Sequence, residues 1–163
     1  SEELAQLYSA DIKQEGEIFY LKLVKDKADK SLKTGSSARR VPIHEDLIHL
    51  GFIDYVKSMS VSGRIFPNLK IGADGRYSFA ISKWFALYFR NTLKVIADVS
   101  PIHAFRHSFK TLARAAGIPK DINDIITGHS SGDVSGSYGQ FPLELLNKEI
   151  NKIPSAPLPS LID

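Results

Sequence analysis

The chain has 163 residues, 43% of them hydrophobic, which is enough for one domain with a real core and too little for two full ones. It contains no cysteine, which excludes disulfide scaffolds, thiolate zinc sites and cysteine nucleophiles and fits a reducing cytoplasm, the expected compartment. The net charge of +3 is mild, but Lys22 to Arg40 holds seven basic residues against Asp26 and Asp29, a concentration that favours a polyanionic partner. With no targeting signal and no apolar run long enough for a bilayer, no membrane partner is expected.

Ser1 to Leu7 reads as the tail of a helix that begins abruptly, as though an upstream part of a larger protein preceded it. The Glu15-Gly16 turn leads into Ile18 to Val24, which has strand composition. A basic loop through Lys33-Thr34-Gly35-Ser36-Ser37 follows, then a short strand, Arg39 to Ile43, where Pro42 argues for an edge or a strand end. A small antiparallel sheet is the expected product. His44 to Met59 reads as one helix, with Leu47, Leu50, Ile53, Tyr55 and Val56 apolar, and His44 and His49 are expected to face solvent. Ser60 to Tyr77 is a long connection around Ile65-Phe66-Pro67. A strong helix over Ser78 to Ile96 carries Trp84, Phe85, Leu87, Tyr88, Phe89 and Leu93, and its helical spacing predicts the central packing helix rather than a base-stacking surface. Near the C-terminus, Pro142 to Ile150 forms an amphipathic helix with Leu143, Leu146 and Ile150 apolar. Docking on its own domain is expected, with a neighbouring protomer as the other destination. The fold class is therefore α+β, mainly helical with a small antiparallel sheet near the N-terminus, in one domain over residues 1–152 with a Pro-rich tail over residues 153–163.

The stretch from Pro101 to Gln140 brings chemistry together. Read as a helix, its start puts Phe105, Phe109, Leu112 and Ala116 on one face and His103, Arg106, His107 and Lys110 on a polar stripe. Pro101 suits a helix start and Gly117 an end; a second helix through Ile122, Ile125 and Ile126 stops at Gly128-His129. Ser130 to Tyr138 is rich in Ser and Gly, so Tyr138 sits on an adaptable segment, and a tyrosine displaced in the absence of a partner is expected. Metal-free cleavage of a phosphodiester needs a nucleophile, cationic donors on the non-bridging oxygens and an acid for the departing oxygen. Tyr138, Arg106 and Lys33 suit those roles in that order. An arginine fork donates two hydrogen bonds to phosphate while staying charged, and His103 and His129 can donate to phosphate or handle the tyrosine proton near neutral pH.

His103-Ala104-Phe105-Arg106, then Gly128-His129-Ser130-Ser131, then Ser137-Tyr138 resemble the signature of the tyrosine recombinases, the phage integrase family: HxxR, a Gly-His, and a tyrosine shortly afterwards. Upstream, Leu32-Lys33-Thr34-Gly35 followed by Arg39 to Ile43 resembles the family's hairpin lysine and next strand, so the resemblance covers the chain except its Pro-rich tail. It implies the recombinase catalytic fold and site-specific DNA recombination or integration. In that reaction the tyrosine attacks a phosphodiester to give a 3′-phosphotyrosyl link and a free 5′-hydroxyl, which later attacks another strand's link. It implies Tyr138 as nucleophile, Arg106 as the phosphate clamp, Lys33 as general acid, His103 as acid/base or phosphate ligand, and His129 as a further phosphate donor. Lys27 and Lys30, in the same loop, compete with Lys33. The resemblance also implies double-stranded DNA as partner, self-association on DNA as a tetrameric synapse, and no metal or nucleotide cofactor.

One departure stands out. The family's first catalytic arginine would precede a segment like Glu3, Leu7 and Asp11-Ile12, hence is expected to lie before Ser1, as is the family's N-terminal DNA-clamping domain. The isolated chain is therefore expected to bind DNA weakly and turn over poorly. On this alignment Arg39 and Arg40 belong to the strand after the lysine loop, where phosphate contact and plain solvation are both open, and His107 is expected to hydrogen-bond behind Arg106 and orient it. Other readings are a type IB topoisomerase or telomere resolvase, a non-catalytic DNA-binding module, and a zinc site on the i, i+4 pair His103 and His107 with His129. No Glu follows His103 as in HExxH, and Arg106 beside a dication would be unfavourable.

Overall fold

The computed structural model describes residues 2–31, 38–60, 62–95, 100–129 and 141–155. Among them the chain is α+β: helices α1 (Glu2–Ala5), α2 (Glu45–His49), α3 (Phe52–Ser58), α4 (Ser78–Asn91), α5 (Pro101–Ala115), α6 (Lys120–Thr127) and α7 (Leu143–Ile150), with strands β1 (Ile12–Glu15), β2 (Ile18–Leu23) and β3 (Arg39–Pro42). The strands form one antiparallel sheet in the order β1-β2-β3. Glu15 pairs with Ile18 across a two-residue turn, and Leu21 pairs with Val41. Pro42 ends β3 on the sheet edge, where a residue without an N–H costs no ladder bond.

Two apolar clusters meet at this sheet. One joins Ala113 of α5, Ile118, Ile122 and Ile126 of the α6 region, and Leu146 and Ile150 of α7; the other joins Leu7, Leu23, Val56 and Ile65. Val41 packs against both, so β3 is the seam between them. Burying each such Ile or Leu contributes about 1.5–3 kcal/mol. Helix α7 docks on its own domain through Leu143, Leu146 and Ile150, all buried. The segment that follows is also tied down: Asn151 Oδ1 accepts from the Glu45 N–H at 3.0 Å, and Ser155 Oγ bonds Asp46 at 2.7 Å.

Three expectations need correction. The helix over His44 to Met59 is two helices, broken where Gly51 takes a φ of 80°, a left-handed conformation that ends α2 and starts α3. His44 does not face solvent. It caps α2, its Nδ1 accepting from the Asp46 N–H at 3.1 Å while its Nε2 lies 3.0 Å from the Ile153 carbonyl. His49 is exposed, as expected. The third correction is that α4 is not the central packing helix. Trp84 (57% exposed), Leu87 and Tyr88 lie on an open face, Trp84 stacked on Tyr88 at 5.1 Å. Among the described residues its Phe85 and Phe89 side turns inward, to Phe105 of α5, and Ser78 at its start is buried. Helical periodicity identifies an apolar face; it does not say that the face is covered.

The β2–β3 connection is held by charge. Lys30 is buried, donating to Asp11 at 2.6 Å and Asp26 at 2.8 Å. Burial alone would depress its ammonium, but the two carboxylates outweigh that and hold its pKa above the usual lysine value. Ser31 is gripped by the Gln6 amide, which donates to its carbonyl at 2.7 Å and accepts from its N–H at 2.8 Å. Lys27 lies over the Tyr8 ring at 3.3 Å, and Asp29 bonds both Tyr8 and Arg64. Replacing Lys30 with Met strands the buried Asp11 carboxylate, and urea unfolding is expected to register a loss of about 3–5 kcal/mol. Lys27→Met, which removes only a cation–π contact at an exposed edge, is expected to cost about 1 kcal/mol or less. Equal losses would mean that Lys30 is not the anchor.

Candidate active site

The site forms where α5, α6, β3 and α1 converge. Helix α5 starts with Pro101 in its first turn, as the sequence suggests. Phe109 and Ala113 hold its second half in the core. His103, Arg106 and His107 are all exposed, on the polar stripe. Helix α6 stops at Gly128, with a φ of 67°. The N–H of the next residue, His129, returns to the Asp124 carbonyl at 2.8 Å, closing a Schellman motif. His129 is exposed just beyond this corner.

The last carbonyls of α6 lack helical partners and carry the negative end of its dipole. Arginines take two of them: Arg106 Nη2 donates to the Thr127 carbonyl at 2.7 Å, and Arg39 Nε to the Ile126 carbonyl at 3.1 Å. The HxxR and Gly-His segments are thus joined directly, and Arg106 uses little of its donor fork in doing so. His107 makes no side-chain hydrogen bond to a described residue, contrary to the expectation that it orients Arg106; the Thr127 carbonyl does that instead. Lys33 and Tyr138 lie outside the described residues.

Arg39 is the residue that sequence reasoning undervalued. It is neither solvated nor offered to an outside phosphate through its fork. Its side chain is 10% exposed, and Nη1 and Nη2 make a bidentate pair with Glu3 at 3.0 and 2.8 Å. Its guanidinium also lies against Gly128, where a Cβ would fall 2.7 Å from Cζ. Glycine at this corner therefore serves both the left-handed turn and the close approach of Arg39. The signal was strand alternation, since Arg39 shares a face with Val41, which is at the seam of the core. Arg40, on the opposite face, pairs with Glu15 at 3.1 Å and is partly solvated.

Burial would raise the Glu3 carboxyl, but the bond from Arg39 and the charges of Arg39 and Arg106 outweigh it and set its pKa below the usual value. Among the described residues no group of three or more His, Asp or Glu side chains stands at metal-binding spacing, and no helix is long and apolar enough to cross a membrane. No family model, curated protein or solved structure matches the chain.

Because Glu3 has a lowered folded pKa, its contribution to stability is complete above the unfolded carboxyl value of about 4.3 and is lost as pH falls through the folded value. Glu3→Gln is therefore expected to be less stable than wild type by about 2 kcal/mol at neutral pH, the two denaturation curves converging in acid. A gap that persists unchanged at the acid end would assign the loss to packing rather than to charge.

Proposed function

We propose that the chain is the catalytic domain of a tyrosine site-specific recombinase, with that family's catalytic fold, acting on double-stranded DNA through a covalent 3′-phosphotyrosine. The observation that carries this reading is the joining of Arg106 to the C-terminal corner of α6, two residues before His129. A clamp for phosphate oxygens and a histidine donor are thereby held at one exposed place, with His103 one turn earlier on the same helix.

In this mechanism Arg106 and His129 bind the non-bridging oxygens and stabilise the charge that grows on them in the transition state. The Tyr138 phenol attacks phosphorus, its proton passing to His103 or to solvent, while Lys33 protonates the departing 5′-oxygen. Phosphoester energy is stored in the tyrosyl link, so rejoining needs no nucleotide, and the protein is expected to assemble as a tetramer on its site. The commitment of Lys30 to Asp11 and Asp26, and of Lys27 to Tyr8, supports Lys33 as the lysine that acts.

The test uses this chain and a version extended upstream, each incubated with nicked DNA carrying the cognate site and run on a denaturing gel. The extended protein is expected to form an adduct that survives EDTA, disappears in Tyr138→Phe, and forms at least about a hundredfold more slowly in Arg106→Ala. The chain alone is expected to react weakly. A folded, DNA-binding extended protein that gives no adduct would point to a non-catalytic DNA-binding module. Adducts that relax supercoils but never exchange strands between duplexes would point to the topoisomerase reading.

A further inference from the structure

We propose that Arg39 is a positioning residue for this site: its guanidinium sets where the α6 corner, and hence Arg106 and His129, stand. The inference rests on the recombinase reading for the reaction it tunes, and on independent geometry for the role.

Arg39 connects three elements that are far apart in sequence. Its backbone is in β3, its fork is held by Glu3 of α1, and its Nε holds the Ile126 carbonyl of α6. Arg106 takes the adjoining carbonyl, of Thr127. Two guanidinium groups on successive carbonyls repel each other, and Glu3 is the carboxylate that offsets this, as the influence of both arginines on its ionisation indicates. The fork of Arg39 is spent on Glu3, so it has no second fork for a phosphate; its effect on the reaction passes through Arg106. The flat guanidinium lies directly against Gly128, so a displacement of Arg39 moves the backbone from which His129 projects.

Lysine at this position keeps the charge but cannot bridge a carboxylate and a carbonyl with one planar group. In the upstream-extended protein, Arg39→Lys is expected to leave DNA affinity within about twofold of wild type while slowing adduct formation about ten- to a hundredfold, the size of effect a misplaced clamp produces. If Arg39 acts through Arg106, the effects of Arg39→Lys and Arg106→Lys will be less than additive in the double variant. Gly128→Ala keeps Arg39 but puts a methyl 2.7 Å from its Cζ, and is expected to show the same slowed cleavage at preserved affinity, which decides the matter should Arg39→Lys fail to fold. Wild-type adduct formation with variants reacting within threefold of it, or a loss confined to DNA affinity, would overturn the positioning role alone. Absence of an adduct from wild type in the same experiment would overturn the recombinase reading and this inference with it.

Discussion

A guanidinium buried among a strand edge and two helices is costly unless its charge and its donors are both satisfied. Arg39 meets that condition through Glu3 and the Ile126 carbonyl, and much of the architecture follows from it. Helix α1 must lie against β3 for Glu3 to reach. Helix α6 must end at that point for a free carbonyl to exist there. Gly128 must follow, because a side chain would occupy the space of the guanidinium. Val41, next on the same face of β3, then falls between the two apolar clusters and joins them. The pair thus does little that a hydrophobic contact could not do for stability, but it specifies register: only one arrangement of α1, β3 and α6 satisfies all of its bonds.

The second charged lock, Lys30 with Asp11 and Asp26, is coupled to the same short helix through the neighbouring Ser31. Glu3 on α1 and Gln6, the residue just past its end, hold Arg39 and Ser31 respectively. A four-residue helix, too short to be stable by itself, is thereby fixed by what it grips. Its own first turn contributes again at Glu2, whose carboxylate accepts from the Tyr77 and Ser78 N–H groups at the start of α4. Three polar side chains of one turn and a half therefore set the places of the β2–β3 connection, β3 and α4.

What could be read from the sequence was what depends on near neighbours. The start of α5 at Pro101, the stop of α6 at Gly128, the amphipathic α7 and the edge position of Pro42 each follow from residues within a turn or two. The small sheet followed from composition and from the Gly16 turn. The break at Gly51 was also local, but an apolar pattern running through Leu47, Leu50 and Ile53 concealed it, since these positions suit a continuous helix as well as two short ones. The exposure of Trp84 and the burial of Arg39 were not local at all. Whether an aromatic face is covered depends on the rest of the fold, and the partner of Arg39 lies 36 residues away. Lys33 and Tyr138 remain functional assignments made from the sequence pattern.

The position of Arg106 shows why the tie to α6 matters. The second half of α5 is well supported, with Phe109, Ala113 and Ala116 in the main cluster. The first half, which carries His103 and Arg106, has only Pro101 buried, and leans through Phe105, itself 50% exposed, on the half-open aromatics of α4. Such a segment has few buried contacts to resist local opening. The bond from Arg106 to the Thr127 carbonyl supplies a second attachment, one that draws on α6 and, through Arg39, on the sheet. Arg106 is thus held by α6 and the sheet while the first turns of its own helix are held loosely, which in the proposed recombinase reading lets those turns adjust to a DNA backbone while Arg106 stays on the corner that bears His129.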